Sequence, residues 1–310
     1  MRRVMKQSSC YFSKRTMILL LSLALMSLAF LKLPSFHTEL KPVEVPVDNK
    51  FRKRVHSHVR EILDKECRPS FARQRMRLGE RDCRRCVVVG NGGILKGLGL
   101  GHLLNRFDII IRLNSGPLQD FSADVGNRTT IRMSYPESCP KVWEDTDPDL
   151  KYVAVIFKSV DFHWLRAMIS RTPVSLWDRL FFWQNVPMSV PVKTSQFHLL
   201  NPQIIREMAL DLLNYPEPKK RLWSWDQNIP TLGLTALNLA TYICDEVSLA
   251  GFGYNLSQKE APLHYYDSVP MTTILKEAMH NVQKETVFLK RLVASGSITD
   301  LTGGIHCSFC

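Results

Sequence analysis

No internal repeat and no low-complexity tract runs through the 310 residues, which excludes solenoid and fibrous architectures. Arginine runs and stacking aromatics interleaved with basic residues are also missing, so no nucleic-acid partner is expected. Acidic side chains are absent from the first 33 positions, which hold Arg2, Arg3, Lys6, Lys14, Arg15 and Lys32. The formal charge of +12 therefore divides unevenly, and beyond that segment 35 basic groups face 29 acidic ones. Such a moderate excess suits an anionic substrate. The full dinucleotide fingerprint is missing too. Gly90-Asn91-Gly92-Gly93 follows the apolar Cys86-Val-Val-Val, but no third glycine is properly spaced. The next strand-like run ends in Arg112-Leu-Asn114 rather than an acid. What remains is a glycine turn that lets backbone amides approach a phosphate, or simply a tight strand–helix connection.

What is present reads as ordinary globular protein, with 45% hydrophobic and 23% charged residues. One run stands apart: Met17 to Leu31 carries no charge and only serine as polar interruption. Fifteen helical residues rise ~22 Å, enough for a thin bilayer if Lys32 snorkels and Leu33 counts. Five cations precede the run, which places the N-terminus in the cytosol. Lys32-Leu-Pro-Ser-Phe-His37 is a poor cleavage site, which favours an uncleaved signal anchor over a removed signal peptide. The expected order is a cytosolic tail (1–16), a transmembrane anchor (17–33), a stem (34–66) and a lumenal domain (67–310). Seven of the eight cysteines lie beyond the anchor, where disulfides are available. Asn127-Arg-Thr129 and Asn255-Leu-Ser257 are acceptor sequons consistent with a lumenal face.

From Cys86 onward strand-like and helix-like stretches alternate, the pattern of an α/β sheet with crossover helices. Strands are predicted at Cys86–Val89, Asp108–Leu113, Thr129–Ser134, Tyr152–Phe157 and Glu246–Ala250. Helices are predicted at Val55–Lys65, Val160–Ile169, Pro202–Leu213, Leu232–Cys244 and Gln283–Val293. Three local patterns have two readings each. Asp145-Thr-Asp147 and Asp147-Pro-Asp149 match a metal-holding Asp-x-Asp, though a solvated acidic loop is simpler. Cys83-Arg-Arg-Cys86 and Cys307-Ser-Phe-Cys310 have zinc-site spacing, but the lumenal context favours disulfides. His264 and His280 are lone histidines by spacing, yet each lies where loops over an α/β sheet gather ligand groups.

Taken together, these pieces resemble the animal sialyltransferase family over residues 61–305. Its long donor-binding motif resembles CRRCVVVGNGG, FDIIIRLNSGP and DVGNRTTIRMSYPE, within Cys83 to Glu137. The short motif resembles Pro230 to Gly253, PTLGLTALNLATYICDEVSLAGFG. The third resembles His264-Tyr265-Tyr266-Asp267, and the very short one His280 to Glu285. ECRPSF, FKSVDFHWLRAM, LFFW and LTGGI look most like the glycolipid-directed branch of that family. The resemblance implies a Rossmann-like fold of the GT-A-variant type, with a mostly parallel sheet flanked by helices. It implies a Golgi membrane protein of single-pass type II topology. The donor would be CMP-sialic acid and the acceptor a galactose-terminated glycolipid, or alternatively a glycoprotein galactose. Association with itself or with other glycosyltransferases is a further expectation.

Residue roles follow from the same resemblance. His280 matches the general base that takes the proton from the galactose 3-hydroxyl, and His264 the histidine that contacts the donor phosphate. Asn91, Asn114, Thr231, Gly233 and Tyr265 match donor-binding positions, with the short motif presenting amides at a helix N-terminus. No metal or other cofactor is implied, because a phosphate monoanion leaves without a bridged diphosphate. Cys86 pairs with Cys244 and Cys67 with Cys83, which leaves Cys139, Cys307 and Cys310. The chain departs from the family at one place: only fifteen residues separate Cys67 from Cys83, where relatives carry several dozen more. A catalytically silent donor-binding protein is the alternative that this shortening raises.

Overall fold

The computed structural model describes residues 47–67, 83–217, 229–254, 258–276 and 279–310. Two compact units divide the chain. Met1–Lys41 lies wholly outside the described residues, and Pro42–Cys310 contains every one of them. The predicted transmembrane run, the sequon at Asn255 and the short interval after Cys67 also fall outside them. Among the described residues no helix is long and apolar enough to cross a membrane.

Seven parallel strands make one sheet in the order β5-β4-β3-β2-β1-β6-β7. They are β1 (Arg85–Val89), β2 (Ile109–Leu113), β3 (Ile131–Ser134), β4 (Lys151–Ala154), β5 (Phe197–Leu199), β6 (Glu246–Ala250) and β7 (Thr299–Asp300). The central strands are continuous apolar runs because a parallel sheet is covered on both faces. Alternation divides each strand between two cores. Cys86, Val88, Ile111 and Leu249 face one, while Val87, Val89, Ile110 and Ala250 face the other. β1 pairs with β2 on one side, Cys86 opposite Ile109, and with β6 on the other, Cys86 opposite Val247.

Five helices frame the sheet and its cleft: α1 (Asn49–Asp64), α2 (Ser159–Ser170), α3 (Pro202–Arg206), α4 (Leu232–Ile243) and α5 (Val282–Ala294). α4 is apolar all round because it lies against β1, β2 and β6, with Leu234, Ala236, Leu237 and Ala240 almost fully buried. α1 corrects the sequence expectation of a stem over 34–66. Asp48 caps it by accepting the Lys50 N–H at 3.0 Å. Val55, Val59 and Leu63, four residues apart, then bury one stripe in the second core. Each such burial contributes about 1.5–3 kcal/mol, so this helix belongs to the folded body.

Two further elements differ from expectation. β4 stops at Ala154 instead of Phe157 because the Asp161 carboxylate accepts the Phe157 and Lys158 N–H groups at 2.9 and 3.1 Å. That cap turns the chain into α2. The predicted helix over Pro202–Leu213 begins as α3 and changes to a π-helix at Glu207–Leu212.

Among the described residues three disulfides close the fold: Cys67–Cys83, Cys86–Cys244 and Cys307–Cys310. The zinc alternative for the two Cys-x-x-Cys pairs fails, since all four sulfurs are bonded to other sulfurs. Cys139 is free and 1% exposed, and burial pushes its thiol up to about 11. It is therefore expected to resist iodoacetamide in the native protein and to react only after unfolding. Mass spectrometry of its peptide checks this, and native labelling would contradict it.

Candidate active site

The strand order reverses between β1 and β6, and at such a switch point the connections beyond the strand ends diverge and leave a crevice. Here the two connections also touch. The Gly90 N–H donates to Ala250 at 2.8 Å and the Gly92 N–H to Gly251 at 3.1 Å. A Cβ on Gly92 would stand 2.5 Å from the Gly251 carbonyl oxygen, so only glycine permits this approach. The histidine-bearing loop is clipped beside them by Gly93 N–H to Leu263 O at 2.9 Å and Tyr265 N–H to Asn91 O at 3.0 Å. Behind these contacts lies a cleft of about 500 Å³, within the size range of small-ligand sites. Asn91, Asn114, Thr231, Gly233, His264 and His280 all line it.

His280 stands just before α5, with Nδ1 2.7 Å from the Ile229 carbonyl oxygen. A carbonyl only accepts, so Nδ1 carries the hydrogen and the neutral ring keeps its lone pair on Nε2. That is the tautomer of a base. Glu285, one turn into α5, accepts the Thr231 N–H at 2.8 Å and the Thr231 hydroxyl at 2.7 Å. Burial raises its pKa against the lowering effect of those two bonds and of His280. Thr231 is the N-cap of α4, so this carboxylate fixes the position of that helix end against His280. The first turn of α4 opens into the cleft through Leu232, Gly233 and Leu234. The Thr231 hydroxyl accepts the Leu234 N–H at 3.4 Å, so the Leu232 and Gly233 amides, with the helix dipole, are the groups that favour an anion. A Cβ on Gly233 would come 2.8 Å from the Phe252 ring.

His264 is oriented by Asp267, whose Oδ2 lies 2.8 Å from Nδ1, and its ring stacks on Tyr266 at 5.1 Å. The carboxylate acceptor places the hydrogen on Nδ1 and leaves Nε2 for a ligand. Asn114 ends β2 with φ 55°, the left-handed region that asparagine tolerates better than most residues. Its Oδ1 is buried without a hydrogen-bond partner, which marks a place for a ligand donor. The Asn91 side-chain amide reaches only the Leu113 carbonyl, at 3.4 Å.

The wall that the motif reading missed is aromatic. Tyr135, Phe157 and Trp183 line the cleft beside Lys158. The Tyr135 ring lies 5.8 Å from each of the other two. The Lys158 ammonium sits 4.5 Å over the Trp183 ring and is held by Glu137 at 2.6 Å and Asp161 at 2.7 Å. The segments FKSVDFHWLRAM and LFFW carried the signal, but periodicity alone gives no reason for them to meet.

Tyr265 does not line the cleft, which corrects its donor-binding expectation. It is 3% exposed, its hydroxyl donates to Pro117 O at 2.7 Å, and its ring packs edge-on against Phe121 at 5.3 Å. Burial pushes its phenol well up. The Asp-x-Asp loop is not simply solvated either. Asp145 forms a buried two-pronged pair with Arg132, at 2.7 and 2.8 Å, and Asp147 accepts the Thr129 N–H. A cation 2% exposed needs that counter-ion. Asp145→Ala is accordingly expected to cost about 3–5 kcal/mol in a urea titration; a loss below about 1 kcal/mol would contradict the pairing. Arg112 is likewise structural: buried and lowered to about 10 by desolvation, it donates to the Arg128 and Val125 carbonyls at 3.1 and 2.6 Å. Asn127 is exposed.

Fold and site together define a Rossmann-type α/β protein with its ligand cleft at the topological switch point. Residues 35–297 match glycosyltransferase family 29 (sialyltransferase). The rat lactosylceramide alpha-2,3-sialyltransferase is 51% identical over 256 residues, 83% of this chain and 65% of that protein. The human one is 53% identical over 232 residues, 75% of this chain and 56% of that protein. The chain thus spans rather less than two thirds of the length of these relatives. A crystal structure of a mammalian sialyltransferase superimposes with a TM-score of 0.57 at 24% identity, covering 83% of this chain and 86% of that one. That likeness is one of fold. The chain belongs to glycosyltransferase family 29, the sialyltransferases.

Proposed function

We propose that this chain transfers sialic acid from CMP-sialic acid to the 3-hydroxyl of the terminal galactose of lactosylceramide, by a single displacement with inversion. The observation that carries the reading is the fixed tautomer of His280 in the cleft that α4 opens into. Its bare Nε2 takes the galactose proton as the oxygen attacks the anomeric carbon. The C–O bond to the phosphate breaks, and cytidine monophosphate leaves with the bonding electrons. Its phosphate sits at the first turn of α4, where His264 Nε2 meets it, while Asn91 and Asn114 hold the nucleotide. The lipid acceptor is supported by the extent and level of identity to the two lactosylceramide enzymes.

Transfer needs no metal on this reading, because a phosphate monoanion leaves without a bridged diphosphate, and of the three candidate carboxylates Asp145 is committed to Arg132 and Asp147 to a backbone amide. Activity is expected to survive a chelator at millimolar concentration; its abolition, with recovery on adding a divalent cation, would contradict this. The setting proposed is the Golgi membrane, with 17–33 as anchor, the folded domain in the lumen and Asn127 glycosylated. The test is direct. Full-length protein is given the cytidine donor with lactosylceramide or with a galactose-terminated glycoprotein. Transfer to the glycolipid supports the reading, transfer only to glycoprotein replaces the acceptor, and no transfer to either favours a silent donor-binding protein.

A further inference from the structure

Among the described residues, four of the most exposed large apolar side chains lie within six consecutive positions. Leu176, Trp177, Leu180 and Phe181 are 75%, 76%, 73% and 69% exposed. Their spacing puts them on one side of the short helix Leu176–Arg179 and its continuation. The segment is held in this pose. Ser175 Oγ caps the Trp177 N–H at 3.2 Å, and Asp178 pairs with His163 of α2 at 2.9 Å. The ridge does not end in the solvent. Two residues on, Trp183 is 57% exposed and forms part of the cleft wall, stacked under Lys158.

The charges around the ridge are of one sign. Arg166, Arg171 and Arg179 are exposed, and Asp178 is the sole acidic residue from 162 to 192, already engaged by His163. Exposed tryptophan, leucine and phenylalanine flanked by arginine is the composition that settles into the headgroup layer of a bilayer, the rings at the interface and the guanidinium groups against lipid phosphates. Continuity with the cleft selects this occupant over a soluble one. A glycolipid presents its sugar to the cleft while its two chains stay in the leaflet, so the cleft mouth has to lie at the lipid surface.

We propose that Leu176, Trp177, Leu180 and Phe181 form a membrane-docking ridge that seats the domain in the interfacial layer of the bilayer, with the cleft facing the emerging glycolipid headgroup. The inference deepens, and rests on, the glycolipid reading above. It is tested on the full-length protein in phosphatidylcholine vesicles, wild type against the triple variant Trp177→Ser, Leu180→Ser, Phe181→Ser. KM for vesicle-borne lactosylceramide is expected to rise about tenfold or more, with kcat/KM for a water-soluble lactoside unchanged. Equal loss on both acceptors would overturn the ridge, as would no loss on either. A second readout is independent of activity: brominated lipids should quench tryptophan fluorescence in the wild type and less so in Trp177→Ser. Should no acceptor be used at all, the catalytic reading fails. The quenching still decides the ridge, and an unchanged signal in Trp177→Ser overturns it.

Discussion

His280→Ala is expected to lower kcat for sialyl transfer by about 10²–10⁴-fold while leaving the affinity for cytidine monophosphate nearly unchanged. The reason is geometric. The Ile229 carbonyl fixes the hydrogen on Nδ1, so Nε2 is the cleft-side atom that can take the acceptor proton, and alanine removes it. On the proposed reading the nucleotide meets other groups: the first turn of α4, the Asn114 amide and His264. Stopped-time transfer assays and calorimetry with cytidine monophosphate separate the two effects. A variant that loses nucleotide binding and rate together would place His280 in the donor cradle instead. His264→Ala should do the reverse, weakening the nucleotide as well as slowing the reaction, because its Nε2 serves the departing phosphate.

The second large effect is on stability. The Cys86–Cys244 bridge joins the second residue of β1 to the C-cap of α4, across 158 positions of sequence. Both partners are buried beside the first core, at 0% and 3% exposure. Closing so long a loop restricts the unfolded chain by about 5 kcal/mol on the loop-entropy argument. It also holds the helix whose N-terminus enters the cleft. The double variant Cys86→Ser, Cys244→Ser adds two hydroxyls to a packed interior. Cys86→Ala, Cys244→Ala is therefore the cleaner variant, and it is expected to lose about 2–5 kcal/mol in denaturant titration. The Cys307–Cys310 bridge spans three positions and its removal should cost far less. Equal losses for the two bridges would contradict an effect that grows with loop length.

How much of this was legible in the sequence depends on length and on distance. β1, β2 and β6 stand out as mostly apolar strands of five residues, RCVVV, IIIRL and EVSLA, that punctuation separates from their neighbours. α4 and α5 are long enough for a 3.6-residue period to show. β5 has three residues and β7 two, and a period of two cannot be read in so few; they are strands because a neighbour supplies the ladder. α1 was read only from Val55 and assigned to the stem for another reason. Its arginines, lysines and histidines are the solvent side of an amphipathic helix, and only the stripe Val55, Val59, Leu63 reports the burial. Within the cleft, family motifs located Asn91, Asn114, Thr231, Gly233, His264 and His280, all of which converge. They carried Tyr265 along with them, yet adjacency to His264 turns its side chain the opposite way, into the second core. Asp145 read as a solvated loop residue or a metal ligand because its partner, Arg132, lies thirteen positions away, on β3. Lys158 with Trp183 stayed hidden because the pairing joins a helix cap to a loop more than twenty residues later.

The most direct test is a crystal structure of the protein soaked with cytidine monophosphate. The phosphate is expected at the first turn of α4, within ~3 Å of His264 Nε2, with the nucleoside against Asn91 and Asn114 and His280 free to face an acceptor. A nucleotide seated anywhere other than the β1–β6 switch point, or one whose phosphate leaves the α4 amides and His264 untouched, would contradict the catalytic reading of this cleft.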